Sequence, residues 1–164
     1  MPSYRAPVDD VMFLLTDVLG WERYGNLAGF ADADAETVEA IIGEAAKLAE
    51  EVLQPLNQIG DKQGCTWDAG KVTTPDGFLE AYKQYTDGGW VGVSAREDHG
   101  GMGLPATVNS VVGEFMSSAN LAFGMYPGLS QGAYAALETH ANDEIKALYC
   151  PKLATGEWTG TMNL

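Results

Sequence analysis

The residues best suited to chemistry are two histidines, two cysteines, a glycine run and a row of glycines four apart. His99 follows Glu97-Asp98 in a polar stretch, and His140 closes a helix-patterned segment. Neither has a serine or cysteine partner in sequence, so both read as surface or helix-terminal residues. Cys65 and Cys150 lack metal spacing and form no zinc pattern with the histidines. They read as free thiols in a reducing compartment, which suggests a cytoplasmic protein. Gly100-Gly101-Met102-Gly103 lacks the Gly-Lys-Ser/Thr end of a phosphate loop and does not match the dinucleotide fingerprint. It reads as a turn between helices that needs positive φ angles. The carboxylates show no isolated pair in an apolar setting, so no residue is assigned as catalytic.

Gly124, Gly128 and Gly132 are four apart and share one face if the segment is helical. Glycine costs a helix interior up to about 1 kcal/mol relative to alanine, so three on one face need a reason. Either a neighbouring helix approaches closely, or a groove is left open for a ligand with Met125 and Leu129 beside it. Phe123 and Tyr126 read as core.

These residues need helices to hold them, and the periodicity supplies several. Val8, Val11, Met12, Leu15, Val18 and Leu19 form one helical stripe, widened by Phe13 and Leu14, which predicts a short docking helix. Asp34 is the predicted N-cap of the next helix, with Glu36 in its first turn. Val38, Ile41, Ile42, Ala45, Leu48, Ala49, Val52 and Leu56 form its apolar face. Residues 57–73 read as loop, and Thr74-Pro75 as the start of a helix that stops at Gly88-Gly89. Trp90-Val91-Gly92-Val93 reads as a short turn or strand. Pro105 begins a helix to about Ser118, and another covers roughly 121–138 with a break point at Pro127. The last spans about 142–154, with Ile145, Leu148, Tyr149 and Leu153 on one side. Residues 157–164 look like the start of a strand that needs a sheet from beyond the chain. The fold expected is therefore all-α, a helical bundle opening onto a β domain, as the first domain of a longer protein.

Composition narrows the partners. The net charge of −14 disfavours nucleic acid and anionic membrane surfaces. No apolar run approaches the length of a membrane span.

Three segments taken together carry a resemblance. Asp87-Gly88-Gly89-Trp90-Val91-Gly92-Val93 leads into Glu97-Asp98-His99-Gly100-Gly101-Met102-Gly103-Leu104. Farther on, residues 146–157, Lys-Ala-Leu-Tyr-Cys-Pro-Lys-Leu-Ala-Thr-Gly-Glu, lead into Thr161-Met162-Asn163-Leu164. This order is similar to that of the N-terminal helical domain of the flavin-dependent acyl-CoA dehydrogenases. Residues 1–35 resemble the N-terminal extension of a subgroup that includes long-chain and 3-methylthiopropanoyl-CoA dehydrogenases. The resemblance divides the chain into the extension, a helical domain over 36–156 and a β-domain start over 157–164.

The resemblance implies FAD as cofactor, acyl-CoA as substrate, an electron-transfer flavoprotein as partner and a homo-oligomer, tetramer or dimer. It implies oxidation to the trans-2-enoyl-CoA by a glutamate that lies in the family's C-terminal domain. It places Met162 and Leu164 beside the flavin, and Gly124, Met125, Gly128, Leu129 and Gly132 on the acyl chain. By itself the chain should be inactive and should not retain stoichiometric FAD. The alternatives are a stand-alone helical interaction module and part of an acyl-CoA oxidase.

Overall fold

The computed structural model describes residues 3–161. Helix α1 (Val8–Phe13) runs on through a π-helical turn, Leu14–Val18, where the Leu19 N–H reaches back to the Leu14 carbonyl at 2.9 Å. Gly20, at φ 64°, ends it in the left-handed conformation that glycine adopts without steric cost. Only part of the predicted stripe is covered. Leu15 is buried, whereas Phe13, Leu14, Val18 and Leu19 remain exposed. Trp21, in the 3₁₀ turn Trp21–Tyr24, anchors the segment by donating from Nε1 to the Ala33 carbonyl at 2.6 Å. At the other end, Arg5 and the Ala6 N–H both bond the Glu50 carboxylate. The Ala6 N–H, with Arg5 beside it, holds that carboxyl below its ordinary pKa.

Helix α2 (Ala35–Lys47) starts as predicted, with Asp34 Oδ1 accepting from the Thr37 N–H at 2.8 Å. It passes through a second π-helical segment, Leu48–Leu53, into α3 (Gln54–Gln63). Pro55 accounts for the wider turn. Its missing N–H and bulky ring disfavour the regular bond to the carbonyl four residues back, and a π turn accommodates both. Val38, Ile42, Ala45, Leu48, Ala49 and Leu53 are buried.

The expectation of loop over 57–73 is corrected. Helix α3 occupies its first part, and a hairpin pairs β1 (Thr66–Asp68) with β2 (Lys71–Thr73) in antiparallel register, Trp67 opposite Val72. Ala69 and Gly70 turn the chain with φ 47° and 86°. Alanine rarely adopts positive φ, so the usual Asn-Gly or Asp-Gly signal is missing.

Helix α4 (Phe78–Asp87) begins later than Thr74-Pro75 predicts. Its N-cap position is Gly77 at φ 84°, while Pro75 is buried. A Cβ on Gly77 would sit 2.6 Å from Leu56 Cδ2, so the end of that side chain in the first turn of α3 would have to shift to admit one. Gln63 and Asp76 exchange two hydrogen bonds, both 2.9 Å, and close the connection.

Helices α5 (Ala106–Ala119), α6 (Leu121–His140) and α7 (Asp143–Ala154) complete the bundle, with α6 packed between the other two and α5 also packed on α2. Helix α6 is continuous through Pro127, so the expected break does not occur. Phe115, Val108, Val112 and Phe123 join the same core as Ile42, Leu15 and Trp21. The predicted face of α7 is corrected too. Of that face only Leu153 is buried, together with Cys150 and Ala154, whereas Ile145, Leu148 and Tyr149 are exposed. Trp158 packs edge-on to Tyr149, and Lys152 lies over its indole ring.

Candidate functional site

Helix α6 carries the residues singled out by spacing. Asn120 starts it from a buried position, 1% exposed. Its Oδ1 accepts from the Phe123 N–H and its Nδ2 donates to the Leu53 carbonyl, each at 3.1 Å. The cap therefore fixes α6 against the π-helical segment as well as ending its own chain of orphan donors.

The glycine row has two explanations along its length. At Gly124 a Cβ would lie 3.0 Å from Ser117 Oγ and 3.4 Å from Ser117 Cα, so α5 approaches closely there. At Gly128 a Cβ would meet nothing within 4 Å. Gly128 is exposed, Gly132 half-buried, and the flanking Met125 and Leu129 are 67% and 40% exposed. Leu121, 60% exposed, extends this apolar row at its start. The five expected substrate residues thus share one helix, and its central glycine faces open space.

Tyr126 is not core: it is half-exposed and helps line a cleft on the adjacent face of α6. That cleft, about 530 Å³, lies among α3, α4 and α6. Phe78, Leu79 and Tyr82 form one wall, Ala122, Phe123 and Tyr126 another. Sequence reasoning missed it because its walls come from helices separated by the hairpin.

The glycine turn behaves as its composition predicts. Gly100 and Gly103 have φ of 82° and 66°. The turn folds back on 92–96, with the N–H groups of Met102, Leu104 and Gly103 donating to the carbonyls of Gly92, Val93 and Ala95. His99 has a partner that spacing did not reveal. Its Nδ1 lies 2.9 Å from Tyr134 Oη, which also accepts from the Arg96 N–H at 3.0 Å. Burial raises the Tyr134 pKa. These contacts join the turn to α6 from 35 residues away and create no nucleophile. His140 stands in the last turn of α6. Cys65 is exposed, Cys150 buried, and burial raises the Cys150 thiol pKa.

Met162 and Leu164, the expected flavin contacts, lie outside the described residues. The starts of α2, α6 and α7 do not suit a dinucleotide's phosphates. Asp34, Asn120 and Asn142 already fill the N-caps of α2, α6 and α7 with their own side chains. Glu36, Asp143 and Glu144 add negative charge to two of those first turns. The glycine turn is no cradle either, because a Cβ on Gly101 would meet its own loop rather than open space.

Residues 35–157 match the model of the acyl-CoA dehydrogenase N-terminal domain. The chain belongs to that family. Over 162 residues it is 38% identical to a 3-methylmercaptopropionyl-CoA dehydrogenase of Ruegeria pomeroyi, covering 99% of this chain and 28% of the relative. Identity to a broad-specificity linear acyl-CoA dehydrogenase of Mycobacterium tuberculosis is 29%, covering 100% of this chain and 27% of that protein. A butyryl-CoA dehydrogenase of Syntrophomonas wolfei is 26% identical, with 99% and 27% covered. The chain thus spans about a quarter of the length of the curated relatives it matches. The helical acyl-CoA dehydrogenase N-terminal domain matches the fold expected from the sequence. Among the described residues, no helix is long and apolar enough to cross a membrane.

Proposed function

We propose that this acyl-CoA dehydrogenase N-terminal domain forms one wall of an acyl tunnel in an enzyme that oxidises acyl-CoA to trans-2-enoyl-CoA. Met125, Gly128, Leu129 and Gly132 are the wall, and Gly124, filled by Ser117 of α5, seats the start of that wall on the bundle. The observation that carries this reading is the open space at Gly128 between two exposed apolar side chains on α6. A helix that gave up side chains only for close packing would have its glycines filled by neighbours, as Gly124 is.

On this reading the chain positions substrate and contributes subunit contacts, while the catalytic base comes from outside it. The family's FAD belongs to the intact enzyme, with its contacts outside the described residues. Electron-transfer flavoprotein as acceptor and assembly as a tetramer or dimer belong to the same proposal. The 164-residue chain purified alone should be colourless. A one-to-one flavin content in its visible spectrum would overturn that expectation.

Gly128→Leu tests the wall in the intact enzyme. Because a Cβ there meets nothing within 4 Å, the fold should tolerate leucine. The kcat/KM for long acyl-CoAs should fall roughly ten-fold or more relative to short ones, since the added side chain competes with the chain for space. Equal losses at every chain length would remove Gly128 from the tunnel.

A further inference from the structure

The cleft among α3, α4 and α6 contains a group that the bundle leaves unused. Tyr82 Oη is sealed from solvent and, among the described residues, has no hydrogen-bond partner. A buried hydroxyl in that state costs about 1–3 kcal/mol, so it calls for a partner supplied by something else. Burial is also the main cause of the raised Tyr82 pKa, so the hydroxyl is neutral and able to donate near pH 7. The surroundings narrow the partner. Phe78, Leu79, Ala122, Phe123 and Tyr126 make an apolar cleft whose volume of about 530 Å³ suits a small molecule.

The cleft adjoins the open row on α6. Ala122 stands three residues before Met125, and Tyr126 three before Leu129, so cleft and row are neighbouring strips of one helix. Resting on the acyl-tunnel reading above, we propose that the far end of the acyl chain enters this cleft and that Tyr82 selects tails bearing a hydrogen-bond acceptor. A purely alkyl tail fills the same space but leaves the hydroxyl unpaired. The Tyr126 ring, edge-on to Tyr82 at 5.3 Å between centroids, is the side chain that moves to admit the acceptor. Being half-exposed, it can do so without disturbing the core.

Binding to this 164-residue chain tests the cleft without any need for turnover. The probes are the neutral N-acetylcysteamine thioesters of decanoic and 9-oxodecanoic acids, titrated by calorimetry. The ketone-tailed probe should bind roughly three- to ten-fold tighter, the value of one net hydrogen bond. Tyr82→Phe should abolish that preference. Ala122→Trp, which fills the cleft from an exposed position, should weaken both probes. Equal affinities in the unmodified chain, a preference that survives Tyr82→Phe, or no binding of either probe would overturn the proposal. Oxidation of acyl-CoA by the intact enzyme is a separate readout, so failure of the proposed reaction and failure of the cleft are distinguishable.

Discussion

Gly101→Ala is expected to lower the midpoint of thermal unfolding by roughly 6–12 °C. A Cβ at Gly101 would stand 2.2 Å from the Ala95 carbonyl oxygen, 2.4 Å from its carbon and 2.6 Å from Ala95 Cβ. Two of those atoms are backbone, so no side-chain rotation relieves the clash. The Ala95 carbonyl cannot withdraw freely, because it accepts from the Gly103 N–H at 2.9 Å. Gly92 on the same strip is pinned as well, with the Met102 N–H on its carbonyl and the Ala154 oxygen where its own Cβ would go. Relief therefore means opening the turn and losing part of its hydrogen bonding. The cost belongs at about 3 kcal/mol, the upper end of overpacking, and a domain of this size shifts about 2–4 °C per kcal/mol. Gly113→Ala on α5 is the control. Nothing lies within 4 Å of its Cβ position, so alanine should stabilise by about 0.5–1 kcal/mol. Melting curves followed by circular dichroism compare the two. A Gly101→Ala protein that melts with the unmodified chain would mean that the turn is not packed in this way.

The contrast between these glycines shows how far spacing alone could reach. Positive φ at Gly100 and Gly103 was readable, because clustered glycines between helical patterns have few other uses. The role of Gly101 was not, since its constraint comes from Ala95 crossing in space. On α6, the four-residue interval identified the shared face but could not separate Gly124, which faces Ser117, from Gly128, which faces open space. Asp34 was legible as a cap because its partner is three residues away, whereas the Asn120–Leu53 bond joins distant segments. The hairpin stayed hidden behind an alanine at positive φ, and the exposed side of α7 behind apolar residues that surround the helix. Local chemistry was thus visible in the sequence. What one element does to another was visible only where a single pattern, such as the α2 face, repeated over several turns.

Asn120→Ala is expected to destabilise the domain by about 1–3.5 kcal/mol, the sum of two separable losses. Removing the cap acceptor from the Phe123 N–H costs about 0.5–2 kcal/mol. Removing the Nδ2 donor loses a buried hydrogen bond to the Leu53 carbonyl, worth about 0.5–1.5 kcal/mol. Asn120→Asp separates them. Aspartate keeps an oxygen for the Phe123 N–H but turns an oxygen lone pair toward the Leu53 carbonyl. It also places a charge at a site 1% exposed. If Asn120 only caps α6, aspartate should restore stability nearly to that of asparagine. If the bond to Leu53 contributes as the geometry indicates, aspartate should be no better than alanine at neutral pH. Urea titration decides, with an unchanged slope showing that the unfolding transition is the same. The result bears on the cleft as well as on stability. Asn120 fixes the first turn of α6 relative to the α2–α3 rod, and that turn carries Ala122 and Phe123 into the cleft wall. A variant that keeps its fold but loses the Leu53 bond should therefore bind the thioester probes less tightly, even though residue 120 is not among those that line the cleft.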